Sequence, residues 1–470
     1  MLGVEAIAQR SLLPDFRISI PKTPLIDLRD VERGGPRVVM IRSQLVAAPR
    51  SETSPRLGMR AVLFLCVVAG VSVWLAVESL LAGTVASLDS PALGRRLLAW
   101  DAGDPRLEDQ LGQAYKDTNQ NEALRHLERA TQLSPASRLY WSDLELACES
   151  AGDARCADQA RERLLRLCPM APSYYWLVAD SCLRMNRLDL AFAQFRRLLE
   201  LDPTYARSVW SHLESVQQPE PVYEKVLADN PDAKVKVGYV DFLSDEGDNE
   251  AAYRIWRRLA AGGLNVPYNS AAPYLDRLIA RGRINEAVKV WQDLERLGII
   301  KAGSEKGNLI FNGEFETPPL KSGFDWRTGN TTYLAIDFSA PQAYRRNHCL
   351  RIDFTVGRND EYEPVYQIVP VLPRQTYELE AFVRTQDITS DTGPCLRVRD
   401  ISPEGFPNAV SETSVGTTPW HPLRLSFTTG PHTEAVEVSF WRPRSRVFPT
   451  EIVGTAWWDA VSLRPQSGPK

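Results

Sequence analysis

The sequence predicts an all-α solenoid of paired helices followed by an all-β sandwich, with one apolar helix ahead of both. Three observations carry this. Small and apolar residues recur at an interval of 34 through the middle of the chain, alternation of period two takes over after Gly303, and an uncharged apolar run stands from Ala61 to Val77. At 470 residues, 44% hydrophobic and 24% charged, the chain has globular composition with room for two or three domains. A formal net charge of −4 argues against a nucleic-acid-binding surface as its main business.

Residues 1–58 scatter Pro14, Pro21, Pro24, Pro36, Pro49 and Pro55 among charges without periodicity, the composition of a disordered cytoplasmic tail or of a misassigned start. The following stretch, 60–84, reads as a transmembrane helix, with Glu78 near enough to one end to reach the headgroups. Arg33, Arg37, Arg42, Arg50, Arg56 and Arg60 precede it, whereas Glu78 and Asp89 open the far side. The positive-inside rule then puts the N-terminus in the cytoplasm and the bulk of the chain in the periplasm or outside the cell. A secretory signal starting at Met59 and cleaved after Thr84-Val85-Ala86 is the rival, but the apolar run exceeds the ~7–15 residues of a signal core. Both readings export the rest.

Between residues 90 and 302 the period is set by Pro135, Pro169 and Pro203. Trp141, Leu144, Cys148, Gly152, Ala157 and Leu164 lead to Pro169, and Tyr175, Val178, Cys182, Asn186, Ala191, Phe195 and Leu198 lead to Pro203. Gly112, Tyr115, Ala123, Leu127 and Ala130 form a unit before these. Gly247, Ala252, Trp256 and Leu259, then Gly282, Ala287, Trp291 and Leu294, form two after them, and a shortened copy carries Trp210, Tyr223 and Val226. The alanine sits where two helices cross, the Gly or Asn takes the left-handed turn, and the proline ends each unit. This pattern resembles tetratricopeptide repeats, in six units. Such hairpins must stack to bury their apolar stripes, and the resemblance implies a protein partner on the concave face of the array. Of the exported cysteines, Cys148 and Cys182 hold equivalent phases and read as core thiols; no cysteine or histidine set has zinc spacing.

Residues 306–466 carry nine candidate strands, at 309–316, 333–338, 349–356, 365–371, 376–385, 395–401, 422–429, 435–443 and 456–465, which argue a two-sheet sandwich. In Trp457-Trp458 the two rings must point to opposite faces, and plain alternation keeps Asp459 and Val461 with Trp457. Asn308-Leu309 with Asn312-Gly313-Glu314-Phe315-Glu316, Tyr366-Gln367 with Pro373 and Tyr377, Trp420 with Leu423, Leu425 and Phe427, and the closing Trp458-Asp459 with Val461 and Leu463 resemble the galactose-binding-like jelly rolls of carbohydrate-binding modules. That resemblance implies a structural calcium site formed by Glu314 or Glu316 with Asp459, hard oxygen ligands that suit the ion. It also implies glycan contacts, which need a flat apolar ring and a few fixed polar groups. The candidate rings are Trp326, Tyr333, Tyr344, Tyr362, Trp420, Trp441 and Trp457, with Arg346, Asp353, Arg384, Arg397 and Arg399 as polar companions.

No nucleophile elbow, phosphate loop, zinc-protease helix or other cofactor signature occurs, and two non-catalytic module types fill most of the chain, so no enzyme is expected. The expected function is that of a membrane-anchored exported adaptor, binding a protein through its repeats and glycan or a second protein through its sandwich, in envelope or exopolysaccharide assembly. The alternative is a structural scaffold of a secretion or pilus-type complex, binding no sugar. Exposure decides between them: two or more coplanar aromatics on a concave sheet face or loop rim favour glycan, and a smooth charged face with every tryptophan buried favours scaffolding.

Overall fold

A computed structural model describes residues 59–88, 91–99, 102–301, 306–329, 332–401 and 408–466. The tail at 1–58 lies outside the described residues. Helix α1, Met59–Leu88, overlaps the expected span at 60–84; side chains within it are described for 63–77, where Leu63, Phe64, Val73 and Trp74 are exposed. Among the described residues no helix is long and apolar enough to cross a membrane.

After α2 (Pro91–Leu98), six helix pairs follow among the described residues: α3 (Pro105–Tyr115) with α4 (Gln120–Leu133), α5 (Arg138–Ser150) with α6 (Ala154–Leu167), α7 (Pro172–Arg184) with α8 (Leu188–Leu201), α9 (Ala206–Glu214) with the short α10 (Pro219–Val222), α11 (Ala233–Glu246) with α12 (Asn249–Ala261), and α13 (Tyr268–Ala280) with α14 (Ile284–Arg296). The shortened unit closes on a π-helical turn, Tyr223–Leu227, that continues α10. Polar caps start the helices: Asp104 accepts from the Arg106 N–H, Asn119 from that of Glu122, Asp153 from those of Arg155 and Cys156, and Asp248 from that of Ala251. Asn186 and Gly247, with φ of 56° and 103°, make left-handed turns between helices, where a β-branched residue would be strained. Ala157, Ala191, Ala252 and Ala287 are fully buried at the crossings, as their phase requires.

One cysteine departs from expectation. Cys148 is bonded to Cys156 across the α5–α6 turn, with a Cα separation of 5.6 Å, whereas Cys182 is a buried thiol. The repeat position matching Cys156 is Leu190 in the next unit, so Cys182 has no equivalent partner. Where α3 meets α5, burial and the facing charge of Asp143 push Asp109 up to about 7.

The sandwich has ten strands among the described residues: β1 (Arg327–Thr328), β2 (Leu334–Ala340), β3 (Cys349–Arg358), β4 (Tyr362–Pro370), β5 (Thr376–Ile388), β6 (Cys395–Asp400), β7 (Asn408–Val410), β8 (Gly416–Thr428), β9 (Ala435–Arg442) and β10 (Ile452–Pro465). They form two antiparallel sheets, β1-β4-β9-β6-β7 and β2-β3-β10-β5-β8. Leu350, Ile352, Leu379, Val383 and Leu425 of the second sheet meet Val365, Val398, Val438 and Phe440 of the first. Trp458 points inward onto Phe440, with centroids 4.6 Å apart, and Trp457 points outward. The register shifts after Asp459, where Ala460 has φ of 50°, and this flips the alternation. Val461 therefore joins Trp458 in the core, contrary to simple alternation.

The expected first strand, 309–316, is instead a turned strap. Asn312 and Phe315 have positive φ of 51° and 54°, which a strand excludes. Leu309 N–H donates to Leu463 O, and the Gln367 amide both accepts from Phe311 N–H and donates to Phe311 O. Ile310 and Phe315 enter the sandwich core, while Phe311 turns the other way, onto Trp291 of α14, with centroids 5.0 Å apart. Phe324 packs on the same indole at 5.7 Å. Asp276 of α13 accepts from Gly323 N–H at 2.8 Å and from Arg327 at 2.6 Å. Ile368 and Ala435, on the outer face of the first sheet, belong to the same apolar cluster as Trp291, so solenoid and sandwich share a core.

Two predictions follow from this packing. Asp109 should hold its proton in the folded chain far above its ordinary 3.8, so its contribution to stability is complete below about pH 4 and is lost as pH rises through 7. In thermal unfolding Asp109→Asn should raise Tm at pH 7.5 by about 2–4 °C, the shift expected for about 1 kcal/mol in a domain of this size, and the gain should shrink at pH 5. An unchanged pH profile would contradict the buried acid pair. Second, a Cβ at Gly323 (φ 61°) would lie 2.5 Å from the Trp291 ring. Gly323→Val should therefore part the two domains, splitting one calorimetric transition into two, whereas a uniformly lowered single transition would mean that this contact does not couple them.

Candidate functional site

The outer face of the second sheet carries a patch in which rings and charges interleave. On β5, Phe382 and Arg384 share this face with Glu378 and Glu380. Register sets Asp337, Arg351, Trp457 and Arg384 in one row across β2, β3, β10 and β5. The Tyr344 ring lies flat on Phe382, with centroids 3.9 Å apart and planes at 12°, and Trp420 of β8 stands 5.8 Å from Tyr344. Tyr344 is 40% exposed and Trp420 half-buried, whereas Trp457 keeps only 7% of its surface because the Arg384 guanidinium covers it at 4.8 Å. Beneath them Cys349 is buried, and that burial pushes its thiol up to about 12, so it acts as an inert apolar filler. Beside the patch opens a cavity of about 440 Å³, lined by Phe382, Arg345, Arg346, Glu314, Lys301 and Arg464, within the size range of small-ligand sites.

The loop bearing Tyr344 is held by carboxylates. Asp459 Oδ2 accepts from the N–H groups of Tyr344 and Arg345 at 2.8 and 2.7 Å, and Oδ1 accepts from Ala460 N–H. Glu316 accepts from the N–H groups of Asn347 and His348, and Glu314 pairs with Arg346. These are the residues expected to hold calcium, and their arrangement does not fit the ion. Calcium takes about 6–8 oxygen ligands, yet the lone pairs here face N–H donors and a guanidinium. Among the described residues no three His, Cys, Asp or Glu side chains gather as a metal site.

The other candidate rings divide between the core and the first sheet. Trp326 is fully buried against Phe315 and Phe440, and Tyr362 is 6% exposed against Phe354, so neither offers a face to a sugar. Tyr333 is 46% exposed but lies under Arg358 at 4.7 Å. Trp441 donates to Glu361 and lies under Arg397. A cavity of about 660 Å³ on the first sheet, with Tyr333 and Tyr366 at its wall, is lined by charged groups already paired: Arg399 meets Glu437, and Glu363 meets Arg397, outside the lining, at 2.6 Å. Burial and the Glu363 charge raise Glu437. Of the polar companions, Arg346 and Asp353 are paired near the second-sheet patch, Asp353 with Arg351 at 3.0 Å, and Arg397 and Arg399 stand on the first sheet.

Sequence reasoning missed Phe382, Arg345 and Arg351. For Phe382 a signal was present: in TYELEAFVRT it holds the same phase as Glu378, Glu380 and Arg384, a lone ring on the polar side of an alternating strand.

The class defined by this geometry is a helical-repeat array fused to a β-sandwich with an aromatic patch on its second sheet. The chain matches no protein-family model and no curated protein. Solved structures similar to it include a CBM4 module, 17% identical with a TM-score of 0.25, covering 33% of this chain and 99% of that one. MamA is 14% identical with a TM-score of 0.23, covering 44% and 86%. PilF of Pseudomonas aeruginosa is 18% identical with a TM-score of 0.22, covering 41% and 91%. Each is a likeness to part of the chain.

The tie between Asp459 and the Tyr344 loop can be checked. Asp459→Ala should cost about 1–3 kcal/mol, because the N–H groups of Tyr344, Arg345 and Ala460 lose their acceptors, and Tm should be the same in EDTA and in calcium. A calcium-dependent rise in Tm of the parent chain would reinstate the metal site.

Proposed function

We propose that this chain is a membrane-anchored exported adaptor in envelope or exopolysaccharide assembly. In this reading its six helix pairs are tetratricopeptide-type repeats that take a protein partner along their concave face. Its sandwich is a jelly-roll carbohydrate-binding module that takes glycan on the second sheet. The N-terminus is cytoplasmic, α1 is the anchor, and the repeats and sandwich are periplasmic or extracellular. The chemistry is binding alone, with no catalysis.

The observation that carries the glycan reading is the exposed Tyr344 ring laid on Phe382 beside Trp420, with charged side chains around it. The supported Tyr344 ring keeps 40% of its surface exposed with Arg345 5.8 Å from its centroid, and so offers the C–H face of a pyranose an apolar surface beside a cation. Support for export comes from the arginine-flanked apolar run with its exposed Leu63, Phe64 and Trp74, and from the Cys148–Cys156 bond, which suits an oxidising compartment. Tethering both partners to one chain raises their effective concentration for each other.

The rigid fusion through Trp291 favours the second reading, in which the sandwich caps the solenoid as a scaffold for a secretion or pilus-type complex. Affinity electrophoresis of the detergent-solubilised full chain through gels containing plant or bacterial polysaccharides separates the two. Glycan binding predicts retardation that Tyr344→Ala and Trp420→Ala each reduce about tenfold, equivalent to about 1.4 kcal/mol. Free migration through every polymer would leave the scaffold reading.

A further inference from the structure

We infer that the glycan taken by the second sheet is acidic, bearing carboxylate or sulfate groups read by Arg384 and Arg345. This rests on the proposed glycan site. Arginines on the sandwich strands otherwise have partners: Arg351 pairs with Asp353, Arg358 with Asp360, Arg397 with Glu363, Arg399 with Glu437 and Arg424 with Glu380. Among the described residues Arg384 has neither a carboxylate nor a carbonyl partner. It is half-buried on the Trp457 ring, with its guanidinium carbon 4.8 Å from the centroid. Arg345, likewise without a carboxylate among the described residues, stands over the exposed Tyr344 ring at 5.8 Å, on the same face.

A guanidinium that has lost part of its water and faces no anion keeps its N–H fork free for a bidentate oxyanion. The ring beneath holds it in place, so little side-chain freedom is lost on binding. Phe382 and Arg384 are two residues apart on one strand face, about 7 Å. A hexose stacked at Tyr344 therefore brings its own or its neighbour's acidic substituent within reach of Arg384. A neutral polymer would leave both forks unused. The chain carries −4 overall, so general attraction to polyanions is not expected and any preference for them must be local.

Polygalacturonate and its full methyl ester share a backbone and differ by the methyl group that removes each carboxylate's charge, which makes them the decisive pair. The solubilised full chain should be retarded at least tenfold more by the acid than by the ester, and the difference should shrink as salt rises. Arg384→Gln should abolish the difference between acid and ester. Arg345→Gln, at an exposed position, gives a second variant with the same expected loss should Arg384→Gln fail to fold. Dextran sulfate against dextran separates sulfate from carboxylate recognition. Equal retardation by acid and ester would overturn the inference and leave the glycan site standing, as would a preference that survives in both variants. Retardation by no polymer would overturn the site as well.

Discussion

The packing of Phe311 and Phe324 on Trp291 is the contact on which the rest of the molecule depends. A solenoid of helix pairs has an open apolar end, since its last hairpin has no neighbour to bury it. Here the strap at 308–327 closes that end, sending Ile310 and Phe315 into the sandwich and Phe311 and Phe324 into the solenoid. Gly323 allows the chain to pass against the indole, and Asp276 ties the strap down by its N–H and by Arg327. The domains are therefore not beads on a linker. A kilocalorie lost at Trp291 is shared by both, because each uses the ring as core.

This joint also assigns the two sheets different tasks. Tyr366, Ile368 and Ala435 on the first sheet are committed to the solenoid, and the glutamates and arginines beside them neutralise one another in pairs. These partly buried pairs engage the sheet's charged groups with one another. The second sheet packs on no other element with its outer face among the described residues. Its rings are exposed at Tyr344, its loop is fixed by Asp459 and Glu316, and the guanidinium groups of Arg384 and Arg345 are left over. The exposed ring and the paired charges thus stand on opposite faces of one domain.

The period of 34 made the solenoid legible because each phase position does one physical job that few residues can do. Alanine fits a helix crossing, and Asn or Gly fits the left-handed turn. The sandwich was legible for the same reason wherever strands alternate for six residues or more. It failed where the backbone leaves regular geometry. Ile310-Phe311 looks like alternation, but its residues serve two different cores, which requires the positive φ at Asn312 and Phe315. The bulge at Ala460 reverses a phase that composition alone continues. Strands β1 and β7 are too short to show a period at all. Burial explains the site: Trp326 and Trp457 read as sugar platforms by type, yet one fills the core and the other is roofed by Arg384. Phe382, hidden in a strand, supports the ring that is exposed.

A further constraint operates between repeats. Arg161 of α6, 4% exposed, donates to Glu145 of α5 and to Ser181 of α7, and Ser181 in turn donates to Glu145. Glu145 is fully buried, and that burial raises its carboxyl despite the guanidinium beside it. Desolvating such a group costs more than one pair returns, so an apolar trio of the same volume would stabilise the array as well or better. What the trio supplies is register. A slide of one helix pair against the next would strand a buried charge, and that penalty locks the second and third units at one relative position. Locked units transmit orientation along the array, and the Trp291 joint carries it onward into the sandwich. The repeat groove and the aromatic patch are thereby held in a fixed relation, so the two proposed ligands would meet in one geometry.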